Sequence, residues 1–341
     1  TDYSRTRGNL EQPSKETELF LASGGWYNPT AMARKRRAPV EGRVSVITPT
    51  SESRQAFHAQ LWACFEAQVW REKELIVVET YSGFVSPFLS AKATHPESRL
   101  THVACRGDLS VGLKRNACVH LASGSYIVHF DDDDLYAPGY VFRMVSALRL
   151  GGLAALTLST WYNCVVGRGS FGFVDPETFR LRAGVELEGG SAEGRVRSEG
   201  GDGAGKAAER EARRRQVERI TYGYGFSYAY LREVALEHPF PNIWTSEDFE
   251  FLSRLRGLLG PQSVGLMQDR SGICLHILHD CNSAGSESDR AVSDEEVKGL
   301  EVRALDVIDP QLRALLPQVD ALPSGEHQLQ EHQHQHQHQR Q

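Results

Sequence analysis

What most constrains this chain is a rhythm of short β-branched runs alternating with helical stripes between residues 43 and 130. Val44-Ser45-Val46-Ile47 reads as a first strand. It is expected to stop at Thr48-Pro49-Thr50, because proline cannot donate to a ladder. Over residues 55–69, Phe57, Leu61, Phe65 and Val69 recur four apart, which places them on one face of a helix. Leu75-Ile76-Val77-Val78 follows as an uninterrupted apolar run, the kind buried on both faces of a parallel sheet. These three segments make a βαβ unit. The rhythm then repeats: a helix over residues 113–122, closed by Gly124 in the position that favours a left-handed cap, and a strand over 126–130. A further strand is expected at 155–158. Such alternation predicts an α/β fold, a mainly parallel sheet flanked by helices, with ligands bound beyond the carboxyl ends of its strands.

The rest of the chain is read against this domain, which is expected to span residues 43–322. Residues 1–42 lack periodicity, carry the basic run Arg34-Lys35-Arg36-Arg37, and read as a loosely ordered extension. Seven glycines fall between Glu186 and Gly205, followed by a stretch dense in Arg and Glu. Residues 186–219 therefore read as a disordered insertion that can form a solvated helix but no core, with a substrate lid as the functional alternative. The His/Gln-rich segment 323–341 reads as a disordered tail. With 341 residues and 40% hydrophobic content, the domain can build a substantial core. A net charge of −6 offers no basic face to phosphates, so no nucleic-acid partner is expected. Cys64, Cys105, Cys118, Cys164, Cys274 and Cys281 form no CxxC pair and read as buried small side chains of a reducing compartment. No apolar run reaches the roughly 18 residues of a transmembrane helix. The chain begins at Thr1, as expected of a fragment, which leaves its location open with the cytoplasm favoured.

The chemistry concentrates in three places. Tyr126-Ile127-Val128-His129-Phe130 runs directly into Asp131-Asp132-Asp133-Asp134. Four consecutive carboxylates oppose one another's ionisation, and a divalent cation relieves that repulsion. Mg²⁺ or Mn²⁺ needs only one or two such carboxylates, completing its shell with water and phosphate oxygens. The bland alternative is an acidic turn before the helix that Pro138 precedes. Second, Trp244-Thr245-Ser246-Glu247-Asp248 opens a helix, where acidic residues can complement the dipole or supply a base. Third, Leu275-His276-Ile277-Leu278-His279 alternates apolar and polar residues. A histidine there is a third metal ligand, a phosphate contact or a structural residue, and the sequence does not separate His276 from His279.

Taken in order, these segments resemble glycosyltransferase family 2 over residues 43–286. The resemblance is carried by Val44 to Thr50, by Leu75 to Val78 with Glu79, and by Gly112, Arg115-Asn116 and Gly124-Ser125-Tyr126-Ile127. It continues through Asp131-Asp132-Asp133, Pro138-Gly139 and the stretch from His238-Pro239-Phe240 to Ser246-Glu247-Asp248. It implies a GT-A type, Rossmann-like mixed sheet and an inverting, metal-dependent transferase using a nucleoside-diphosphate-sugar donor. By the same resemblance, Asp248 is the base, while Pro49, Thr50, Glu79, Arg115, Asp131 and Asp132 contact the donor. Asp131, Asp133 and His279 are then the candidate ligands for Mn²⁺ or Mg²⁺. The acceptor is a glycan, lipid, protein or small molecule. Two departures stand out: Glu79-Thr80-Tyr81 replaces the usual acidic pair and Gly-Ser turn, and the glycine-rich insertion separates the two acidic sites.

Trp161, Tyr162, Tyr222, Tyr224 and Phe226 offer an acceptor surface, with core packing as the alternative. A nucleotidyltransferase is the rival enzyme class, and the lack of any glycine from Thr48 to Arg54 argues against its phosphate loop. A non-catalytic binding module on the same scaffold is the rival from another class.

Overall fold

The computed structural model describes residues 3–5, 39–176, 203–279 and 288–305. In chain order the strands are β1 (Tyr3–Arg5), β2 (Val40–Ser51), β3 (Lys73–Tyr81), β4 (Leu100–Arg106), β5 (Gly124–His129) and β6 (Leu135–Tyr136). There follow β7 (Ala155–Val165), β8 (Ser170–Val174), β9 (Ala229–Leu231), β10 (Val264–Gln268), β11 (Cys274–Leu278) and β12 (Arg290–Ala291). The helices are α1 (His58–Ala67), α2 (Pro87–Ala93), α3 (Val111–Leu121), α4 (Tyr140–Leu150), α5 (Gly203–Tyr222), α6 (Arg232–Glu237), α7 (Glu247–Leu259) and α8 (Asp294–Lys298).

The strands join in the order β1-β4-β3-β2-β5-β9-β7-β11-β6, with β10 and β8 also on β7. From β4 through β3 and β2 to β5 every pairing is parallel. β9 is antiparallel to both β5 and β7, so β7 points the same way as β5, and β11 runs parallel to β7. The fold is thus α/β, a mixed and mainly parallel sheet flanked by helices, as the alternation of patterns predicts.

Period-two alternation feeds two cores from one strand. Leu75 and Val77 of β3 join Val44 and Val46 of β2 against Leu61, Cys64 and Phe65 of α1 and Met144 and Val145 of α4. Ile76 and Val78 face the other way, with Ile47, against Leu113, Ala117 and Cys118 of α3 and Phe251, Leu252 and Leu255 of α7. Each Val, Leu, Ile, Phe or Met among them, removed wholly from water, contributes about 1.5–3 kcal/mol. Cys64, Cys105, Cys118, Cys164 and Cys274 are all free and buried among these elements, while Cys281 lies outside the described residues.

Several local expectations are corrected. β2 continues through Pro49 to Ser51, because its pairing with β5 ends at Ile47↔His129, so on that side no partner asks Pro49 for a proton. The stripe from Phe57 loses its last member: α1 ends at Ala67 and Val69 is 59% exposed. Gly124 does not cap α3, whose C-cap is Ala122, but opens β5. A Cβ there would stand 2.7 Å from Arg43 O and Ser45 N, so close strand approach is what demands glycine. Of the insertion expected to be disordered, residues 203–219 belong to α5, and Val217 is buried within the fold; residues 186–202 lie outside the described residues. In the expected extension, Tyr3–Arg5 pairs antiparallel with β4, and β2 begins at Val40. The tail 323–341 lies outside the described residues.

Candidate functional site

Because β2, β5 and β11 point the same way, their carboxyl ends share one edge of the sheet. Thr50 is the penultimate residue of β2, Asp131 comes one residue after the end of β5 with Phe130 between, and His279 follows β11. The chain leaves β5 in a turn pinned from within. Phe130 stacks on Tyr136 with ring centroids 3.9 Å apart, and Tyr136 Oη accepts the Asp131 N–H at 2.8 Å while donating to Phe226 O at 2.9 Å.

Each aspartate then meets a different partner. Asp132 accepts from Thr50 Oγ1 at 2.5 Å and from Arg54 Nε at 2.6 Å. Asp133 pairs with the Arg54 guanidinium and accepts from His279 Nε2 at 2.9 Å. Asp134 accepts the Ile277 N–H at 2.8 Å and faces His276 Nδ1 at 3.0 Å. Burial pushes the Asp131 carboxyl up to about 7, with Arg115 opposing and its three acidic neighbours adding to the rise. Burial likewise raises Asp132 to about 6 against the pull of Arg54. For Asp133 burial is outweighed by the His279 hydrogen bond and by Arg54, which hold it below the usual range.

Carboxylate oxygens of Asp131, Asp133 and Asp134 come within 4.8 Å of one another. This all-oxygen set, crowded enough to resist full ionisation, fits a hard divalent cation. Asp131 and Asp133 are the members of the set that also line the cavity described below. His279 touches the group through Asp133, whereas His276 serves Asp134 and stacks on Phe226 with centroids 4.6 Å apart. The two histidines that the sequence left equivalent thus have separate tasks.

Glu247 and Asp248 open α7. Ser246 before them holds φ 64°, a left-handed conformation for a residue with a side chain, and makes no side-chain cap. Glu247 is buried and accepts from Arg115 Nε at 3.1 Å. Asp248 Oδ2 accepts the Gly225 N–H at 2.9 Å. A Cβ at Gly225 would fall 2.7 Å from Arg115 Nη2 and 3.0 Å from Asp248 Oδ2, so only glycine brings the backbone this close. Burial first, then the charge of Glu247, pushes Asp248 up to about 6, with Arg115 opposing.

These groups face one cavity of about 490 Å³. Of the residues anticipated from sequence, Pro49, Thr50, Arg115, Asp131, Asp132, Asp133 and Asp248 line it. Glu79 does not: it is fully buried and accepts from Gln55 Nε2 at 2.7 Å, His102 Nε2 at 2.8 Å and Ser86 N at 3.1 Å. Of the five aromatic residues, Tyr224 and Phe226 reach the cavity. Trp161, Tyr162 and Tyr222 are core side chains. Sequence reasoning passed over Arg54, Lys114 and Trp244, all on the lining. Lys114 donates to Thr50 O at 2.9 Å, and its signal was only its place beside Arg115. Trp244, 58% exposed at the cavity, stood in the quoted acidic motif without a role.

No helix among the described residues is long and apolar enough to cross a membrane. No family model and no curated protein matches the chain. Among solved structures it is similar to the mannosyltransferase PcManGT from Pyrobaculum calidifontis in complex with GDP-Man and Mn²⁺, at 15% identity and a TM-score of 0.46, covering 78% of this chain and 66% of that one. It is similar to glucosyl-3-phosphoglycerate synthase of M. tuberculosis at 16% identity and a TM-score of 0.45, covering 87% and 88% of the two chains. A third is S. aureus TarS in complex with UDP-GlcNAc, at 13% identity and a TM-score of 0.45, with 80% and 70% covered.

Proposed function

We propose that this chain is an inverting, metal-dependent glycosyltransferase that moves a sugar from a nucleoside-diphosphate-sugar donor to an acceptor hydroxyl. One observation carries the reading: the parallel strands deliver a crowded acidic turn to the same cavity that Asp248 lines. Asp131 and Asp133, with His279 behind Asp133, are the residues that would hold Mn²⁺ or Mg²⁺. When bound, the dication supplies positive charge against the diphosphate that departs.

The chain's own residues do the remainder. Thr50, Asp132 and Pro49 would border the donor, and Arg54, Lys114, Arg115 and Arg219 are cations on the cavity lining. Asp248, raised to about 6 yet ionised at neutral pH, takes the proton of the acceptor hydroxyl as its oxygen attacks the anomeric carbon. Attack from the face opposite the leaving diphosphate inverts that centre in a single displacement.

Calorimetry with ADP, GDP, UDP and CDP, with and without Mn²⁺, tests the donor site. Binding that needs Mn²⁺ and disappears in Asp133→Ala is expected. A folded wild type that binds none of the four would sink the transferase reading.

A further inference from the structure

A line of buried hydrogen bonds leaves Asp132 and runs away from the cavity. Thr50 Oγ1 donates to Asp132 Oδ2 at 2.5 Å and lies 3.0 Å from His58 Nε2. On the other side of the ring, His58 Nδ1 lies 2.8 Å from Ser86 Oγ. Ser86 Oγ accepts the Leu89 N–H at 3.2 Å, capping α2, and the Ser86 N–H donates to Glu79 at 3.1 Å. His102 Nε2 closes the far end, 2.8 Å from Glu79 Oε2. His58, Ser86, Glu79 and His102 are 0% exposed and Thr50 is 1% exposed, so water settles none of these contacts.

Each hydroxyl has a single proton, and that fixes every direction. Asp132 accepts on both oxygens, from Arg54 on one and Thr50 on the other. With the Thr50 proton committed to Asp132, Thr50 Oγ1 must accept from His58, which places the ring proton on Nε2. Bare Nδ1 then accepts from the Ser86 hydroxyl, whose oxygen remains available to Leu89. The order is consistent along its length: Ser86 to His58, His58 to Thr50, Thr50 to Asp132. Burial lowers His58 to about 4, with Glu79 opposing and His102 and Arg54 reinforcing, so the ring is neutral and carries one N–H.

We infer that His58 is a positioning residue for the donor site: locked in its Nε2–H tautomer between Ser86 and Thr50, it aims Thr50 at Asp132 and so fixes the carboxylate that borders the donor. This rests on the donor-site reading above. Glu79, which the sequence placed against the donor, instead anchors the remote end of the line by holding Ser86. A histidine oriented through its second nitrogen is a common way to hold a polar group still, and a fully paired buried line resists local rearrangement.

Two measurements test this. Long-range ¹⁵N–¹H correlation on ¹⁵N-histidine-labelled protein, with the His58 signal assigned by its loss in His58→Gln, should show the Nε2–H tautomer between pH 7 and 8, where Asp132 is ionised. An Nδ1–H tautomer, or a signal that titrates near 6.5, overturns the directed line whatever the protein binds. Separately, His58→Phe should weaken Mn²⁺-dependent nucleoside-diphosphate binding roughly tenfold, the scale of one hydrogen bond to a charged group. His58→Gln can still accept from Ser86 and donate to Thr50, so it should recover most of that loss. Equal binding by folded His58→Phe and wild type overturns the positioning role. A wild type that binds no nucleoside diphosphate removes the donor site itself, and the tautomer then still decides whether the line exists.

Discussion

The acidic turn Asp131–Asp134 and the acidic pair Glu247–Asp248 face one cavity from surroundings of opposite character. Around the turn, Arg54, Thr50, His276, His279 and a backbone N–H supply donors to three of the four carboxylates. Around the pair, the Arg115 guanidinium goes to Glu247, and Asp248 accepts from the N–H groups of Gly225 and Phe249 beside a like charge. The same residue type therefore meets two fates: Asp133 is held below the usual carboxylate range, while Asp248 is pushed up to about 6. Burial raises Asp131 and Asp132 of the turn as well, to about 7 and 6, with their acidic neighbours adding to the rise, and a bound cation relieves that strain; Asp248, poised near neutrality beside a helix start, suits a proton.

Asp248 is the residue whose loss separates the two acidic centres most. Asp248→Asn should lower transfer by about 10² to 10⁴-fold, the range of a lost general base, while nucleoside-diphosphate affinity stays within about twofold. In the wild type the base works when deprotonated, so kcat should rise with pH through about 6 and then level. A variant that loses donor binding and turnover together would mean that the two centres are one.

Removing Arg115 comes next. Its guanidinium and Glu247 are both buried, so Arg115→Met leaves an unpaired buried carboxylate and should cost about 3–5 kcal/mol in urea denaturation. It also withdraws the charge that restrains Asp248, so the pH limb should move upward. A downward shift contradicts the arrangement.

Metal distinguishes the two centres by a smaller margin. Mn²⁺ at 100 times its dissociation constant should stabilise the wild type by about 2.7 kcal/mol. The same titration should leave Asp133→Ala unmoved and Asp248→Asn fully responsive, as read by the rise in Tm.

The smallest effect is expected at Ser246, whose left-handed backbone turns the chain into α7 just before Asp248. Ser246→Gly should gain about 1 kcal/mol by relieving the clash that a Cβ makes there. Equal stability would show that the neighbouring contacts already absorb it.

How legible all this was depends on the range of the physics involved. Leu75 to Val78 and Val44 to Ile47 announce buried strands because alternation and β-branching are local, and the fold class follows. The four aspartates are legible for the same reason, as consecutive charges that cannot be solvated as a core. Glu79 was misplaced because its environment is made by His102 and Ser86, brought in by β4 and α2, and no neighbour in sequence signals them. Arg54 reaches Asp132 across 78 positions, a pairing that only the β2–β5 register creates. Pro49 misled in the other direction: a true local rule about ladders yields where the adjacent strand has already ended.

The buried thiols have a consequence for anyone following how this molecule opens. Burial pushes Cys64, Cys118 and Cys164 up to about 12 and Cys105 up to about 11. Nucleophilic thiolate is therefore scarce while the surrounding element stays closed. These four and Cys274 sit in α1, β4, α3, β7 and β11, covering both faces of the sheet. An alkylating reagent applied in short pulses would find each sulfur only when its own segment parts from the core, so the order of modification would read out the order in which the layers separate.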